Sequence, residues 1–318
     1  MSSGEGASMR IAVTGMTGRF GRLLAQALHR KYALVGIDRR AWTTRPVDVE
    51  MHQVDIRRQR CEDVFRGGGF DAVVHLNVMH DPRASSEEHH TFNIRGTTRV
   101  MDYCVRHRIP KLVLLSSANV YGPRPENPQF LTEDAPLMGG TRFSEIRDLI
   151  ALDMCGQSFF WKHPDVETVI LRPVHILGAV KNAPSNYLRL EKIPRLAGFD
   201  PMIQVVHELD VVRAIEAALL PGVRGVFNVA GCEPVPLSDL IRRTGAEIID
   251  FPHFLAEPVL EQLWRMRLTS FPAPEVDHLR YVCMVDDAPF RERTGYAPAH
   301  DLDRTMAHLA LSRLAELR

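Results

Sequence analysis

The stretch from Arg10 to Arg30, RIAVTGMTGRFGRLLAQALHR, constrains the fold of this chain more than any other. Ile11, Ala12 and Val13 form a short apolar run, and Phe20, Leu23, Leu24, Ala27 and Leu28 then recur at helical spacing. The stretch therefore reads strand, turn, helix. Gly15, Gly18 and Gly21 fall in the turn. Glycine lets the backbone turn tightly and lets a pyrophosphate approach a helix N-terminus, where free N–H groups and the helix dipole favour an anion. Spaced glycines also serve plain tight turns. Asp38 adds weight, because it ends the next apolar run, ALVGID (33–38), 23 residues beyond Gly15. That is close to the spacing of a ribose-binding carboxylate. A carboxylate there favours NAD, since it repels the 2′-phosphate of NADP. Arg39 and Arg40 follow at once and keep NADP open, although a solvated loop would carry them equally well.

Further short runs, apolar on both faces, lie at 71–76, 111–117, 166–178 and 225–231, as expected of strands buried in a parallel sheet. Helical segments such as 91–107 and 144–163 lie between most of them. This alternation predicts an α/β fold, a doubly wound parallel Rossmann sheet with a smaller, mostly helical substrate-binding lobe. The Rossmann domain is expected over 9–179 and 204–231 and the substrate lobe over 180–203 and 232–318, resting on the C-terminal edge of the sheet. Residues 1–8 are expected to form a flexible tail. Amphipathic helices are expected at 236–245 and 257–267. With 318 residues the chain can bury a large core, and its formal net charge of zero steers it toward neither nucleic acid nor an anionic membrane. No apolar run reaches the roughly 18 residues of a membrane span. Five scattered cysteines without a C-x-x-C suit free thiols in a reducing cytoplasm. The EEHH run (87–90) reads as a polar loop or helix start, since no metal-binding spacing accompanies it.

Taken in order, the motifs resemble the extended short-chain dehydrogenase/reductase family in its epimerase/dehydratase branch. TGMTGRFG (14–21) is similar to its T-G-x-x-G-x-x-G and brings in Thr17, Arg19 and Phe20 beside the glycines. VDI (54–56) resembles the adenine-side pair, Asp55 and Ile56. VVHLNV (73–78) resembles the H-L-A-A segment that lines the cofactor, through Leu76 and with Asn77 where alanine is usual. NIRGTTRVMDYC (93–104) supplies Asn93 to support the sheet. LLSSANVYG (114–122) carries Ser116, the family's catalytic serine at Ser117, and Tyr121 on the substrate side. LRPVHILG (171–178) resembles the strand end that flanks the nicotinamide, with Pro173 and His175. The resemblance implies a cytoplasmic protein that binds NAD and a small-molecule substrate, and a homodimer through helices near 91–107 and 144–163.

The departure from the family is TRFSEIR (141–147), where Phe143 and Arg147 stand at the positions of its Tyr-x-x-x-Lys pair. In the family the tyrosine moves the substrate hydroxyl proton, while the lysine one turn on lowers its pKa and holds the nicotinamide ribose. Phe143 has no titratable group, and Arg147 offers a differently shaped, delocalised cation. None of the six tyrosines has a lysine four residues later. Tyr121, Glu145 and His175 are candidate replacements, each with a plain packing or solvated role as the alternative. Two readings stand: an NAD(P)-dependent oxidoreductase or epimerase of a hydroxylated small molecule such as a nucleotide sugar, with an altered proton donor, or a non-catalytic dinucleotide sensor or scaffold. Lys181, Arg189 and Arg195 could meet a substrate diphosphate or form a solvated face.

Overall fold

The computed structural model describes residues 8–76, 86–141, 144–180, 182–266 and 273–316. Along the chain come β1 (Arg10–Thr14), α1 (Arg19–Leu28), β2 (Ala33–Asp38), β3 (Glu50–Gln53), α2 (Arg60–Gly68), β4 (Ala72–His75) and α3 (Ser86–His90). A π-helical turn over Thr91–Arg95 leads into α4 (Gly96–Arg106), followed by β5 (Lys111–Leu115), α5 (Ser144–Lys162), β6 (Glu167–Pro173) and β7 (His175–Leu177). After these come α6 (Ala183–Tyr187), β8 (Lys192–Leu196), β9 (Met202–Ile203), β10 (Val205–His207), α7 (Glu208–Ala218) and β11 (Gly225–Val229). The chain ends with β12 (Val235–Pro236), α8 (Leu237–Thr244), β13 (Glu247–Phe251), α9 (His253–Arg265), α10 (Ala288–Thr294) and α11 (Leu302–Glu316).

Two compact units divide the chain. One comprises Met1–Ser116, Ala151–Leu171 and Ile215–Val226; the other comprises Ser117–Ile150, Arg172–Ala214 and Phe227–Arg318. The first is built on a seven-stranded sheet in the order β11-β6-β5-β4-β1-β2-β3, parallel at each of its pairings from β6 to β3. The order reverses between β1 and β4, whose last residues Thr14 and His75 are register partners. A ligand crevice forms at such a switch point, beyond the strands' carboxyl ends. Strand interiors here are buried on both faces, as the apolar runs require. Cys61, Phe65, Val100, Tyr103, Leu112 and Phe159 belong to the core between sheet and helices.

Lys111 opens β5 and is 5% exposed. Its ammonium donates to the Glu167 carboxylate at 2.7 Å and to the Leu220 and Val223 carbonyls at 2.6 and 2.9 Å. Three N–H donors thus meet three acceptors, which is how a buried charge is tolerated. Burial lowers its pKa, and Glu167 opposes that shift.

The second unit carries three two-stranded ladders: β7 parallel to β10, β8 parallel to β13, and β9 antiparallel to β12. Leu188, Ile193, Leu240, Ile241, Val276 and Leu309 belong to its core. No helix among the described residues is long and apolar enough to cross a membrane.

Several expectations need correction. The single strand expected over 166–178 is two. β6 ends at Pro173, the Val174 amide turns to the Val229 carbonyl at 3.0 Å, and β7 joins a different sheet. The helix expected from 91 extends back to Ser86 and contains the π turn; the EEHH run lies at its start, one of the two readings expected for it. α9 starts four residues before the expected 257 and contains Pro258. In α5, Met154 is 58% exposed. The inward stripe is Leu149, Leu152, Asp153 and Gly156, at i, i+3, i+4 and i+7, which leaves Met154 a third of a turn away. A Cβ at Gly156 would lie 2.7 Å from Leu114 Cδ1 and 2.9 Å from Ile170 Cδ1, so the helix lies close on the sheet there.

Candidate functional site

The glycine turn follows β1 at the switch point. Gly15 has φ +77°, a conformation that favours glycine. Its amide donates to Ile37 O at 2.9 Å, and the Gly18 amide donates to Gly15 O at 3.0 Å. Gly18 caps α1 in an extended conformation; no side chain caps the helix and no acidic residue lies in its first turn. A Cβ at Gly21 would stand 2.4 Å from Gly15 O and 2.7 Å from Met16 Cα and O. The helix start therefore lies close against the turn, with no side chain on its N-cap residue, a form that fits an anion. Arg19 is exposed and Phe20 half-buried.

Asp38 ends β2 and is 4% exposed. Its carboxylate accepts from the Thr17 amide at 3.1 Å and the Arg40 amide at 3.0 Å, and so ties the second strand to the glycine turn. Each oxygen retains acceptor capacity for a hydroxyl. Arg40 Nε donates to Thr17 Oγ1 at 3.2 Å. The guanidinium of Arg39 lies 5.4 Å from the centre of the Phe92 ring, and Arg57 lies 5.2 Å from it. Arg57 in turn grips Asp55 through Nε and Nη2 at 3.0 and 2.7 Å. Burial pushes the Asp55 pKa up, but the hydrogen bonds from Arg57 outweigh it and the carboxyl sits below its ordinary value. Ile56 is fully buried beneath Gly96. Asn93 is buried in the π turn. The Leu76 amide donates to Thr14 O at 3.1 Å, and Asn77 lies outside the described residues. His75 bridges Thr14 Oγ1 and Thr97 Oγ1 at 2.7 and 2.8 Å, and burial holds its pKa down at about 4.

The remaining expected residues are placed as follows. Ser116 Oγ donates to Asp153 at 2.6 Å, and Gln157 Nε2 donates to the same carboxylate at 2.8 Å. Ser117 Oγ accepts from the Asn119 amide at 3.2 Å, capping a short 3-10 turn. Tyr121 is 1% exposed. Its hydroxyl donates to Asn228 Oδ1 at 2.8 Å and accepts from Arg172 Nη1 at 2.7 Å. Arg147 is exposed and donates from Nε to Gly140 O at 3.0 Å. Phe143 lies outside the described residues, and of Glu145 only the helical backbone is described. Pro173 is buried at the end of β6. His175 lies in β7, not in a loop, and burial lowers its pKa to about 4. The structure thus joins Thr17 directly to Asp38, and Arg39 to Arg57 and Asp55 through Phe92. Sequence reading missed Phe92, Asp153, Arg172 and Asn228. Asp153 gave a signal, an acid on the apolar stripe of α5. The others gave none without their partners.

A stack of three imidazoles in the second unit was also missed. The rings of His207 and His300 stand 3.9 Å apart, and those of His207 and His308 5.1 Å apart. The Leu209 amide donates to His207 Nδ1 at 3.1 Å, so Nε2 carries the proton and donates to His308 Nδ1 at 2.8 Å. Among the described residues, no group of three or more His, Cys, Asp or Glu could hold a metal ion.

Comparison with known proteins agrees with this geometry. The model of the NAD dependent epimerase/dehydratase family matches residues 11–230. An uncharacterized Mycobacterium tuberculosis protein is 28% identical over 254 residues, 78% of this chain and 67% of its own length. A UDP-glucose 4-epimerase of Dictyostelium discoideum is 27% identical over 188 residues, 54% of this chain and 53% of its own length. Among solved structures, the UDP-Glc/GlcNAc 4-epimerase of Campylobacter jejuni superposes with a TM-score of 0.75 at 16% identity, covering 97% of this chain and 99% of that one. MoeE5 in complex with UDP-glucose and NAD gives 0.74 at 17% identity, covering 97% and 100%. These structural likenesses establish the fold.

Proposed function

The chain belongs to the NAD dependent epimerase/dehydratase family, and from that premise we propose that it binds NAD at the glycine turn and acts as an oxidoreductase or epimerase on a hydroxylated small molecule. The observation that carries this reading is the turn itself. Gly21 leaves no room for a side chain against Gly15 and Met16, α1 begins without a side-chain cap, and Asp38 is bonded to that turn. Gly15, Gly18 and the first amides of α1 would hold the pyrophosphate, Asp38 the adenosine ribose, and Asp55 and Ile56 the adenine side. When bound, NAD accepts a hydride from a substrate carbon and can return it. Nucleotide sugars, named with several of the relatives, are one class of hydroxylated substrate.

Ser117 is the proposed hydrogen-bonding partner of the substrate oxygen, and Arg147 the proposed contact to the nicotinamide ribose. Tyr121 has its hydroxyl engaged on both sides, which supports a positioning role that holds Arg172 and Asn228 rather than one in moving a substrate proton. A second reading, dinucleotide binding without hydride chemistry, is favoured by the absence of a titratable group at Phe143. A homodimer through α4 and α5 is also proposed; Val105, Met154 and Trp161 are exposed apolar residues on these helices, and a monomer in sedimentation would refute it.

NADH fluorescence titration tests the cofactor assignment. NADH should bind more tightly than NADPH, and Asp38→Ala should erase that preference. Tighter NADPH binding by the wild type would overturn it. Transfer of label from 4-deuterated NADH to a bound carbonyl compound separates the enzyme from the non-catalytic protein.

A further inference from the structure

We infer that the second unit holds a pocket for the uncharged, apolar part of the substrate, a ring or short chain, and not for a nucleoside diphosphate. The inference deepens the proposed function by naming a substrate class, and it rests on that reading only for the hydroxyl that reacts.

The pocket offers about 520 Å³ of open space, its mouth and adjoining solvent included. Leu177, Leu188, Ile203, Val205, Leu237 and Leu240 supply apolar walls. Tyr187 also lines it, with its hydroxyl donating to Pro194 O at 2.7 Å. That bond satisfies the one polar atom of the side chain and leaves the ring as apolar surface. The polar lining is Asn119, His175, Glu275 and His278. The two imidazoles meet edge to face at 5.1 Å. Burial lowers both pKa values, to about 4 for His175 and about 3 for His278, the latter helped by the neighbouring ring. Both are therefore neutral at ordinary pH, each with one donor and one acceptor nitrogen.

A diphosphate entering this space would lose its hydration and needs cations in exchange. Among the described residues that line the pocket there is no lysine or arginine. Two of the three cations that the sequence offers for such a role are engaged elsewhere. Arg189 donates to Gly178 O at 2.8 Å, Val180 O at 3.2 Å and Ser312 Oγ at 2.9 Å. Arg195 is paired with Asp250 at 2.8 Å, and Lys181 lies outside the described residues. What the lining does suit is an apolar body carrying a lone hydroxyl or carbonyl, which Asn119 or a neutral imidazole can pair.

The test uses the full chain and 1-aminoanthracene, an uncharged aromatic amine that brightens in apolar surroundings. The dye should bind saturably, cyclohexanol should displace it, and UDP should not. The variant Ile203→Trp, which fills the pocket from β9, should weaken the dye by about tenfold or more, the factor for losing burial of about two methylene equivalents. NADH affinity, titrated in parallel, should stay unchanged. Displacement of the dye by UDP, or absence of saturable binding, overturns the inference. So does undiminished dye binding in a folded Ile203→Trp protein. If that variant does not fold, the wild-type competition between dye and UDP decides. Loss of NADH binding in the wild type would sink the cofactor reading and leave the pocket result standing.

Discussion

Replacing Gly21 by alanine measures how closely α1 approaches the turn that should hold the pyrophosphate. The added methyl would meet Gly15 O at 2.4 Å and two Met16 backbone atoms at 2.7 Å. None of these can swing aside as a side chain would, so the helix start must retreat by roughly 1 Å in a region packed at crystal-like density. Overpacking of this kind costs about 1–3 kcal/mol. The better helix propensity of alanine returns about 0.5–1 kcal/mol. The net loss is then up to about 2 kcal/mol, a fall in melting temperature of about 1–3 °C for a chain of this size. Two comparison variants sharpen the test. Gly67, in α2, has nothing within 4 Å of its absent Cβ, and Gly18 meets only Gly15 O at 3.1 Å. Gly67→Ala should therefore stabilise by about 0.5–1 kcal/mol, and Gly18→Ala should fall between the two. Thermal melts followed by circular dichroism give the order, and NADH titration should show Gly21→Ala as the weakest binder. A Gly21→Ala protein that melts at or above the wild type, with Gly67→Ala behaving as stated, would refute the reasoning.

Other outcomes follow from the buried polar groups. His75 has its folded pKa lowered from 6.5 to about 4, so the unfolded chain takes up a proton first and stability falls as pH drops from 6.5 toward 4. At about pH 5 its share is about 2 kcal/mol; urea unfolding at that pH and at neutrality should show His75→Gln losing less stability than the wild type, and an equal loss would count against the assignment. Tyr121→Phe removes the hydroxyl between Arg172 and Asn228 and should cost about 1–3 kcal/mol. Its NADH affinity should be unchanged, and a selective loss of turnover without destabilisation would instead make Tyr121 the proton donor. The double change Phe143→Tyr with Arg147→Lys should raise hydride transfer on any substrate that binds, toward the roughly 10²–10⁴-fold that acid–base help contributes. A rapid wild type slowed by the double change would place proton transfer elsewhere.

The parts legible in the sequence were those whose cause is local. Strands β1, β2, β4 and β5 announced themselves as apolar runs, because a parallel sheet covered on both faces allows nothing else. The glycine turn was legible for a similar reason, since its chemistry fits within eight residues. β3, with the sequence EMHQ, is the outer strand of its sheet and largely exposed, so it carries no such run and was missed. Pro173 hinted at the break between β6 and β7, but the new pairing of His175–Leu177 with Val205–His207 depends on a strand some thirty residues away. The same holds for the site. Asp38 was found by spacing, whereas the Arg39–Phe92–Arg57 stack and the Arg172–Tyr121–Asn228 chain exist only once distant segments meet. The pocket draws its lining from Asn119 to Leu279, and no window of sequence contains it.

Lys111 carries a consequence for how the protein is made. The first unit takes up chain as far as Ser116, resumes at Ala151, breaks off after Leu171 and resumes again at Ile215. Two of the three acceptors of the Lys111 ammonium lie 109 and 112 residues further on. On a ribosome, β5 is therefore synthesised long before the carbonyls that satisfy its first residue, and the edge of β6 stays open until β11 emerges to cover it. Closing a loop of that length costs about 4 kcal/mol in chain entropy beyond a constant, to be met by contacts that do not yet exist. An exposed strand edge is the usual template for association between unfinished chains. A nascent chain stalled before Ile215 would hold most of a nucleotide-binding sheet and still lack the turn that secures it.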